Sequence, residues 1–321
     1  MSIVALERHL LPLKPFLEKD GVTEICINQP GGVFVESAGV FQFEEVPELS
    51  YPFLESLAAL VAEFNHKPFP AVMVSGSLLN KERAQFVLPP ACEKGKIICS
   101  IRRQQTKNLN LADYEARGSF LSLQKREEDK GKDETLKELY RKRDYRSFIE
   151  LAIKTKKNIL ICGGTGTGKT TFLNACLKAV PNNERLITVE DTREVVTEQS
   201  NSVNLLFNEE HEATSSLNIF KACLRLRPDR IFLSELRGRE VWPYLRAANS
   251  GHPGSLSTVH ADSPEGAFMQ LMFMMQQAGS TSTEEQLRRY IQSIIHIVVQ
   301  LARDKECFVR VADVWFGDKN T

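Results

Sequence analysis

Residues 163–170 have the types and spacing of a phosphate-binding loop. Their sequence, Gly-Gly-Thr-Gly-Thr-Gly-Lys-Thr, matches the pattern G-x-x-x-x-G-K-[ST]. The glycines let the backbone curl until several N–H groups point at one anion, and the helix that follows adds the positive end of its dipole. The segment therefore predicts a loop that binds the phosphates of a nucleotide. The residues expected to contact it are Gly163, Gly164, Thr165, Gly166, Thr167, Gly168, Lys169, Thr170 and Thr171.

Two side chains of this loop indicate the chemistry. Lys169 is expected to reach the β- and γ-phosphates of ATP, and Thr170 is expected to place its hydroxyl on Mg²⁺. ATP and Mg²⁺ are therefore the expected cofactors. The expected reaction is the hydrolysis of ATP.

Hydrolysis also requires a polarised water, and acidic residues follow two predicted strands. Glu190 and Asp191 follow residues 186–189, and Glu235 follows residues 231–234. Because ligands sit at the carboxyl ends of a parallel sheet, these carboxylates are expected near the phosphates. Either Glu190 or Glu235 could orient the attacking water, and the sequence leaves this choice open.

Asp191 and Glu235 are also candidates to hold Mg²⁺ together with the loop threonine, partly through water. Ser234 stands where many phosphate-loop proteins carry Asp, so Mg²⁺ must rely on the remaining oxygen ligands. The alternative is a structural role. In that case the carboxylates cap the next helix or pair with Arg193 or Arg237.

Two histidines, His252 and His260, flank a run of small residues in the sequence Gly-His-Pro-Gly-Ser-Leu-Ser-Thr-Val-His-Ala. The pair is expected to sense the γ-phosphate, because it follows the predicted nucleotide-binding strands. A purely structural role is the alternative. Metal binding is disfavoured because no cysteine or third histidine is near.

The elements that must position these residues alternate between helix and strand after residue 148. Such alternation predicts a largely parallel sheet in an α/β domain spanning residues 149–321. The predicted helices are residues 147–154, 172–180 and 217–226, and the predicted strands are residues 159–162, 186–189 and 231–233.

A smaller α+β domain is expected in residues 1–104. Strands are predicted at residues 22–28, 33–43, 83–88 and 96–101, and an amphipathic helix is predicted at residues 51–65. Residues 105–148 then form a predicted linker region, because most residues from 125 to 146 are charged and apolar residues are sparse. A solvated linker or an exposed helix is the favoured interpretation over a binding surface.

Bulk composition limits the classes of function. The chain has 321 residues with 41 basic and 41 acidic side chains, and this balance argues against direct nucleic-acid binding by bulk electrostatics. The seven cysteines include no CxxC pair and suit reduced thiols in the cytosol. No signal peptide and no transmembrane span are expected.

The order of these motifs resembles one known family. Thr-Gly-Lys-Thr-Thr, Val-Glu-Asp-Thr, Leu-Arg-Pro-Asp-Arg-Ile-Phe-Leu-Ser-Glu-Leu-Arg and the histidine segment follow one another along the chain. They look like the Walker A, Asp box, Walker B and His box of the secretion-superfamily ATPases. Residues 21–25 and 28–31 resemble the start of the type IV secretion branch, the traffic ATPases.

The resemblance implies a RecA-like P-loop ATPase domain after the N-terminal α+β domain, and a homohexameric ring. Nucleotide would lie between the two domains, with Arg83 and Arg102 completing the site and Arg237 following Walker B. Family function is ATP hydrolysis that powers substrate export and apparatus assembly at the cytoplasmic face of the inner membrane. The implied partners are inner-membrane secretion components and other secretion ATPases.

Several alternatives remain open at this point. A type II secretion or type IV pilus motor is disfavoured by the missing CxxC pairs and by the absence of a retraction-type signature in residues 294–300. A nucleic-acid translocase is less favoured still. The arginines of the first domain could act in the same subunit or in a neighbour, and the linker region would allow domain exchange. The exported cargo is not evident from the sequence.

Overall fold

The computed structural model of the chain describes residues 2–104, 110–120, 123–306 and 308–317. Two sheets organise these residues, one in the N-terminal part and one in the C-terminal part. A helical segment joins them.

Six antiparallel strands form the N-terminal sheet. They are β1 Val22–Ile27, β2 Gly32–Ser37, β3 Val40–Glu45, β4 Met73–Ser77, β5 Arg83–Val87 and β6 Ile98–Arg102. Their spatial order is β3-β2-β1-β6-β5-β4, and every neighbouring pair is antiparallel. The helices of this part are α1 Ser2–His9, α2 Lys14–Glu18 and α3 Tyr51–Phe64, with a 3₁₀ turn at Leu11–Leu13.

Helix α3 shows how the sequence pattern builds this part of the fold. Ser50 caps the helix by accepting a hydrogen bond from the N–H of Phe53 at 3.4 Å. Leu54, Leu57 and Val61 recur at helical spacing and are fully buried in the core with the apolar residues of the sheet. The predicted α+β character of this part is confirmed.

One predicted strand is wrong, because residues 33–43 form a hairpin. The chain turns between β2 and β3 at Ala38 and Gly39, which have φ values of 51° and 79°. Positive φ at both central residues is the geometry that two-residue hairpins favour. Alanine is not a typical residue for this turn, so the sequence carried only a weak signal for it.

The charged segment that follows is helical. Its helices are α4 Leu111–Ala116, α5 Leu123–Arg141 and α6 Tyr145–Lys154. Leu136 of α5 is fully buried, and the hydroxyl of Tyr140 donates to the carbonyl oxygen of Val314 at 2.8 Å. Helix α5 is therefore attached to the C-terminal sheet along one stripe, while Lys132, Glu134 and Glu138 of its described part are exposed. The division of the chain at residues 104 and 148 remains a prediction, although α6 runs through residue 148 without a break.

Seven strands form the C-terminal sheet. They are β7 Ile159–Gly163, β8 Leu186–Glu190, β9 Ser202–Leu206, β10 Arg230–Leu236, β11 Leu256–Val259, β12 Ile297–Arg303 and β13 Val309–Phe316. Their order is β13-β12-β7-β11-β10-β8-β9. All neighbouring pairs are parallel except β12 and β13.

Helices cover both faces of this sheet. They are α7 Lys169–Leu177, α8 Ser216–Cys223, α9 Val241–Asn249, α10 Pro264–Gln277 and α11 Glu284–Ile294, with a 3₁₀ turn at Glu212–Thr214. Two buried clusters separate the layers, one under α8 to α11 and the other under α5 to α7. Every residue of β7, β8 and β11 is buried, as expected of parallel strands covered on both faces. The predicted α/β class is confirmed.

Some element boundaries differ from those predicted. Helix α7 begins at Lys169, within the phosphate-loop pattern, and β10 extends to Leu236. Ser234 and Glu235 therefore lie inside a strand instead of after it. The polar residues Ser234 and Glu235 made the strand look shorter than it is. Whether such residues continue a strand depends on the neighbouring strands and not on local sequence.

The N-terminal part packs on the C-terminal part of the same chain. Asn28, which follows β1, accepts a hydrogen bond from Arg185, and Glu36 of β2 pairs with Arg227. Cys92 pairs with Leu205 on the free edge of β9. These contacts lie along β9 and at the amino ends of β8 and β10. These contacts lie within one chain, and an exchange of N-terminal domains between subunits remains a prediction.

The attachment of α5 predicts a stability effect within the charged segment. Leu136→Ala should lower the free energy of unfolding by about 2–4 kcal/mol, because it removes a fully buried side chain from a packed core. Glu138→Ala is the matched control on the exposed face of the same helix, and it should unfold like the wild type. Urea unfolding of the full chain measures both. Equal effects of the two variants would show that α5 does not pack on the sheet.

Candidate functional site

The predicted phosphate loop joins the carboxyl end of β7 to the start of α7. Gly166 and Gly168 have φ values of 73° and 76°, a left-handed conformation that favours glycine. A Cβ atom at Gly163 would lie 2.6 Å from the carbonyl oxygen of Leu301, so no larger residue fits there. The Thr167 hydroxyl donates to the carbonyl oxygen of Gly164 at 2.8 Å and closes the loop on itself.

The Lys169 ammonium lies inside this loop. It donates to the carbonyl oxygens of Gly163 and Gly164, at 3.0 Å each, and only 8% of the residue is exposed. Burial lowers the pKa of Lys169, and the nearby negative charge of Glu235 opposes that change. A cation is thus held where the phosphates of a nucleotide are expected.

The loop threonine has a partner that the sequence analysis missed. The Thr170 hydroxyl lies 3.2 Å from the carboxylate oxygen Oε2 of Glu194 and donates to it. Asn174 of α7 donates to the Glu194 carbonyl oxygen and accepts from the N–H of Val196. A second acidic residue four positions after Glu190 was the available signal, and it was not used.

Glu190 holds the backbone of the segment that carries Glu194. Its side chain is fully buried, and its oxygen Oε1 accepts hydrogen bonds from the N–H groups of Glu194 and Val195 at 2.9 and 2.6 Å. Its other oxygen accepts from Arg193 at 2.7 Å and from Thr188 at 3.3 Å. The predicted water-orienting role is not supported for Glu190, because both oxygens are occupied. The structural alternative, pairing with Arg193, is what the geometry shows.

Glu235 reaches the site from inside β10. One carboxylate oxygen accepts from Arg237 at 2.6 Å. The other, Oε1, lies 2.8 Å from Nε2 of His260, but this close approach lacks the alignment of a hydrogen bond. Within the described part of the chain, Oε1 of Glu235 is therefore buried without a donor. A buried carboxylate oxygen in this state favours a cation or a bound water as its partner.

His260 and Lys169 are brought together as predicted. The ring nitrogen Nδ1 of His260 lies 3.3 Å from the Lys169 ammonium. If Nδ1 accepts that hydrogen bond, the ring proton is on Nε2, the side that faces Glu235. His260 thus bridges the phosphate loop and the end of β10.

Asp191 and Arg237 form the outer rim of the site. Arg237 contacts Asp191 and Glu235 through its two terminal nitrogens, at 2.6 Å each. Asp191 also accepts from the N–H of Thr192 at 2.8 Å. The described contacts of Asp191 are thus with Arg237 and its own loop, so the structure does not bring it to Thr170 as a magnesium ligand. Asp191, Glu235 and Arg237 line a cavity of about 600 Å³. Glu209, Arg239 and Glu240 also contribute to its wall.

His252 lies at the opposite end of the sheet from His260. Strand β11 separates the two residues, and its four residues span roughly 13 Å at about 3.3 Å per residue. His252 precedes the strand, and its Nδ1 lies 2.9 Å from the carbonyl oxygen of Pro228, which precedes β10. Its predicted role in binding nucleotide beside His260 is therefore wrong within one chain. The eight-residue spacing did not reveal that a whole strand lies between.

Arg83 and Arg102 face the same amino end. They are opposite each other in the pairing of β5 with β6, and they line a cleft of about 850 Å³ together with Arg227 and His252. The phosphate loop is at the carboxyl end of the sheet. The structure therefore does not bring these two arginines to the phosphate loop of their own chain.

Comparison with known proteins agrees with this geometry. A family model for Type II/IV secretion system proteins matches residues 116–316. The chain belongs to this family. The VirB11 protein of the type IV secretion system of Bartonella quintana (strain Toulouse) is 35% identical, with 98% of this chain and 94% of that protein covered. The type IV secretion system protein PtlH of Bordetella pertussis is 33% identical, with 98% and 96% covered.

A solved member of the family also has the same fold. The crystal structure of the VirB11 ATPase of the Brucella suis type IV secretion system, in complex with sulphate, superposes with a TM-score of 0.92 at 33% identity. It covers 98% of this chain and 95% of that one. The resemblance to the type IV branch of the secretion ATPases, and the RecA-like domain that it implies, are thus confirmed. In the part of the chain that the structure describes, no helix is long and apolar enough to cross a bilayer.

The structure brings some of the predicted site residues together and leaves others apart. The phosphate loop, Glu235 and His260 are together, and Thr165 and Thr171 are exposed beside the loop. Asp191 and Arg237 lie at the rim, and Glu190 lies behind. Two contacts escaped the sequence analysis: Glu194 with Thr170, and Arg303 with Gly166. The acidic residue four positions after Glu190 was a signal for Glu194, whereas no short motif marks Arg303.

The buried position of Glu190 predicts a structural effect. Glu190→Ala should lower the free energy of unfolding by about 1–3 kcal/mol, because it leaves buried N–H donors of residues 194 and 195 without an acceptor. Asp191→Ala is the adjacent control, and its exposed carboxylate should contribute within about 0.5 kcal/mol. Thermal and urea unfolding would measure both variants. If Glu190→Ala unfolds like the wild type, its carboxylate does not hold this loop.

Proposed function

We propose that this chain binds MgATP and hydrolyses it to ADP and phosphate as a subunit of a hexameric motor in a type IV secretion system. The observation that carries the proposal is the Lys169 ammonium, enclosed by its own loop and next to His260 and Glu235. Phosphate-loop ATPases use such a lysine to hold the β- and γ-phosphates. Membership of the family and the VirB11 relatives support the same activity.

The oxygen ligands available near the loop fit Mg²⁺. They are the Thr170 hydroxyl and the buried Oε1 of Glu235, both hard oxygen donors of the kind that Mg²⁺ takes alongside substrate phosphates and water. The bound ion would neutralise charge on the phosphates. Glu194, through its contact with Thr170, would hold the threonine hydroxyl in place or bind a water of the ion.

Each side chain has a distinct task in hydrolysis. Lys169 leaves its loop carbonyls for the phosphate oxygens, where its positive charge stabilises the developing negative charge. Glu235 is better placed than Glu190 to orient the attacking water, since one of its oxygens has no donor and the other is held by Arg237. His260 touches both the ammonium and this carboxylate, so it can report the presence of the γ-phosphate.

Arg83 and Arg102 would act on a neighbouring subunit. Both are on the amino side of the sheet, so in one chain they face away from the phosphate loop. A head-to-tail contact in a ring brings two different surfaces of identical subunits together. Such a contact would let the arginine cleft of one subunit meet the phosphate loop of the next.

The proposed cellular context rests on the resemblance to the type IV secretion ATPases. The motor would work in the cytoplasm, peripherally at the inner face of the inner membrane. It would contact inner-membrane secretion components and other secretion ATPases. Its work would be substrate export and apparatus assembly.

Measuring ATP turnover by the wild type and by Lys169→Ala tests the proposed ATPase activity. Wild-type chain should hydrolyse ATP, and the rate per subunit should rise with protein concentration as rings assemble. Lys169→Ala should lower the rate by about 10²-fold or more, because the phosphates lose their charge-stabilising donor. Circular dichroism provides the control for folding. A Lys169→Ala variant that is folded and as fast as wild type would refute this assignment.

Mixing two inactive variants tests whether Arg102 acts across a subunit boundary. Lys169→Ala and Arg102→Ala should each be slow alone. In a mixed ring, an Arg102→Ala subunit supplies an intact loop and its Lys169→Ala neighbour supplies an intact arginine. Random mixing should therefore restore about a quarter of the sites.

The mixing experiment needs a check that subunits exchange, for which fluorescence transfer between labelled chains is suitable. Recovery of turnover would place the arginine in the neighbour. Exchange without any recovery would place Arg102 in its own subunit or outside the site. Lys169→Ala mixed with Lys169→Ala,Arg102→Ala is the matched control, because no complete site can form in it.

A further inference from the structure

The phosphate loop is contacted on its outer side by an arginine from a distant part of the sequence. Strand β12 pairs with β7 so that Leu301 lies opposite Gly163, and Arg303 extends two residues further. Its Nε–H donates to the carbonyl oxygen of Gly166 at 2.8 Å. This contact joins residues separated by 137 positions in the chain.

Strand β12 and its antiparallel neighbour β13 form a hairpin, which also approaches the loop at two more glycines. The carbonyl oxygen of Leu301 lies so close to Gly163 that a Cβ atom there would be 2.6 Å away. Val309, at the start of β13, would be 3.6 Å from a Cβ atom at Gly168. Strands β12 and β13 therefore contact the beginning, the middle and the end of the loop. At Gly166 the contact is a hydrogen bond from an arginine side chain to a loop carbonyl oxygen. At Gly163 and Gly168 it is a close approach of β12 and β13 to the loop backbone.

Gly166 has little packing of its own to order it. It is exposed, it has a left-handed φ of 73°, and a Cβ atom there would meet nothing within 4 Å. A glycine without packing loses more conformational freedom than any other residue when it is ordered. If a hydrogen bond orders it in advance, nucleotide binding no longer has to supply that free energy.

We infer that Arg303 is a positioning residue, which orders the phosphate loop through its Nε–H bond to Gly166 before nucleotide binds. This inference rests on the proposed function of the loop and concerns the same site. The bond is made to the loop and not to the reacting atoms, so it should stabilise bound ground state and transition state equally. Loss of such uniform binding raises KM and leaves kcat unchanged.

Two substitutions of similar length separate the donor from the charge. In Arg303→Gln, the amide nitrogen Nε2 is attached to Cδ at the same place as the arginine Nε, so the donor remains and the charge is lost. In Arg303→Met, both are lost. Lys305→Ala is the control for removing one positive charge from the same hairpin.

The measurements are the Kd for MgADP by titration calorimetry and the steady-state KM and kcat for ATP, all on the full chain. Arg303→Met should raise both Kd and KM about tenfold and leave kcat within about twofold. Arg303→Gln should stay within about threefold of wild type in all three, and Lys305→Ala should match wild type.

The outcomes distinguish this inference from the proposed function. If the wild-type chain binds no MgADP, the proposed function fails and the role of Arg303 fails with it. If the wild type binds and Arg303→Met binds equally well, only the role of Arg303 is overturned. If Arg303→Gln is as weak as Arg303→Met, charge and not the Nε–H donor is responsible, which also overturns the inference as stated.

Discussion

The burial of a positive charge inside a loop of glycines constrains the rest of this structure. The Lys169 ammonium occupies the space that carbonyl oxygens of its loop enclose, and burial lowers its pKa. A buried cation is tolerable only with compensating negative charge or hydrogen-bond acceptors. The acceptors are Gly163 and Gly164, and the negative charge comes from Glu235 inside β10. The chain therefore needs β7 and β10 at a fixed separation, which the intervening strand β11 provides.

The acidic residues around this cation fall into two kinds with different physical roles. Glu190 is fully buried and saturated with donors, so its carboxylate serves to fix backbone. Glu194 is held by that backbone and reaches Thr170, and Glu235 keeps one oxygen without a donor. A buried acid that orders a loop can thus place an accessible acid at the site. Glu190 is the last residue of β8 and its carboxylate is absorbed by the core, whereas Glu194 follows the strand and stays exposed.

Local patterns predicted the parts of the molecule that local interactions determine. The phosphate loop requires glycines at fixed positions, and buried parallel strands require continuous apolar runs, so both were evident from the sequence. The hairpin at Ala38 and Gly39 and the buried Leu136 were not, since each depends on what the remainder of the chain packs against them. His252 and His260 show the same limit at the site. Their spacing is equally compatible with one cluster and with two ends of a strand, and only the pairing of β11 with its neighbours decides.

The separation of the two ends of the sheet gives the subunit two functional faces. At the carboxyl ends of β7, β10 and β11 lie the phosphate loop, Glu235 and His260. At the amino ends of β10 and β11 lies the cleft of Arg83, Arg102 and His252, beside the Glu36–Arg227 contact between the two domains. In the proposed ring, a change in charge at one face of a subunit would act directly on the cleft supplied by its neighbour. Because that cleft lies next to the Glu36–Arg227 contact, phosphate binding at one subunit would bias the position of the N-terminal part of the next. Strands as short as β11 connect the two faces without a flexible element between them, which is the property that a ring of coupled ATPase sites requires.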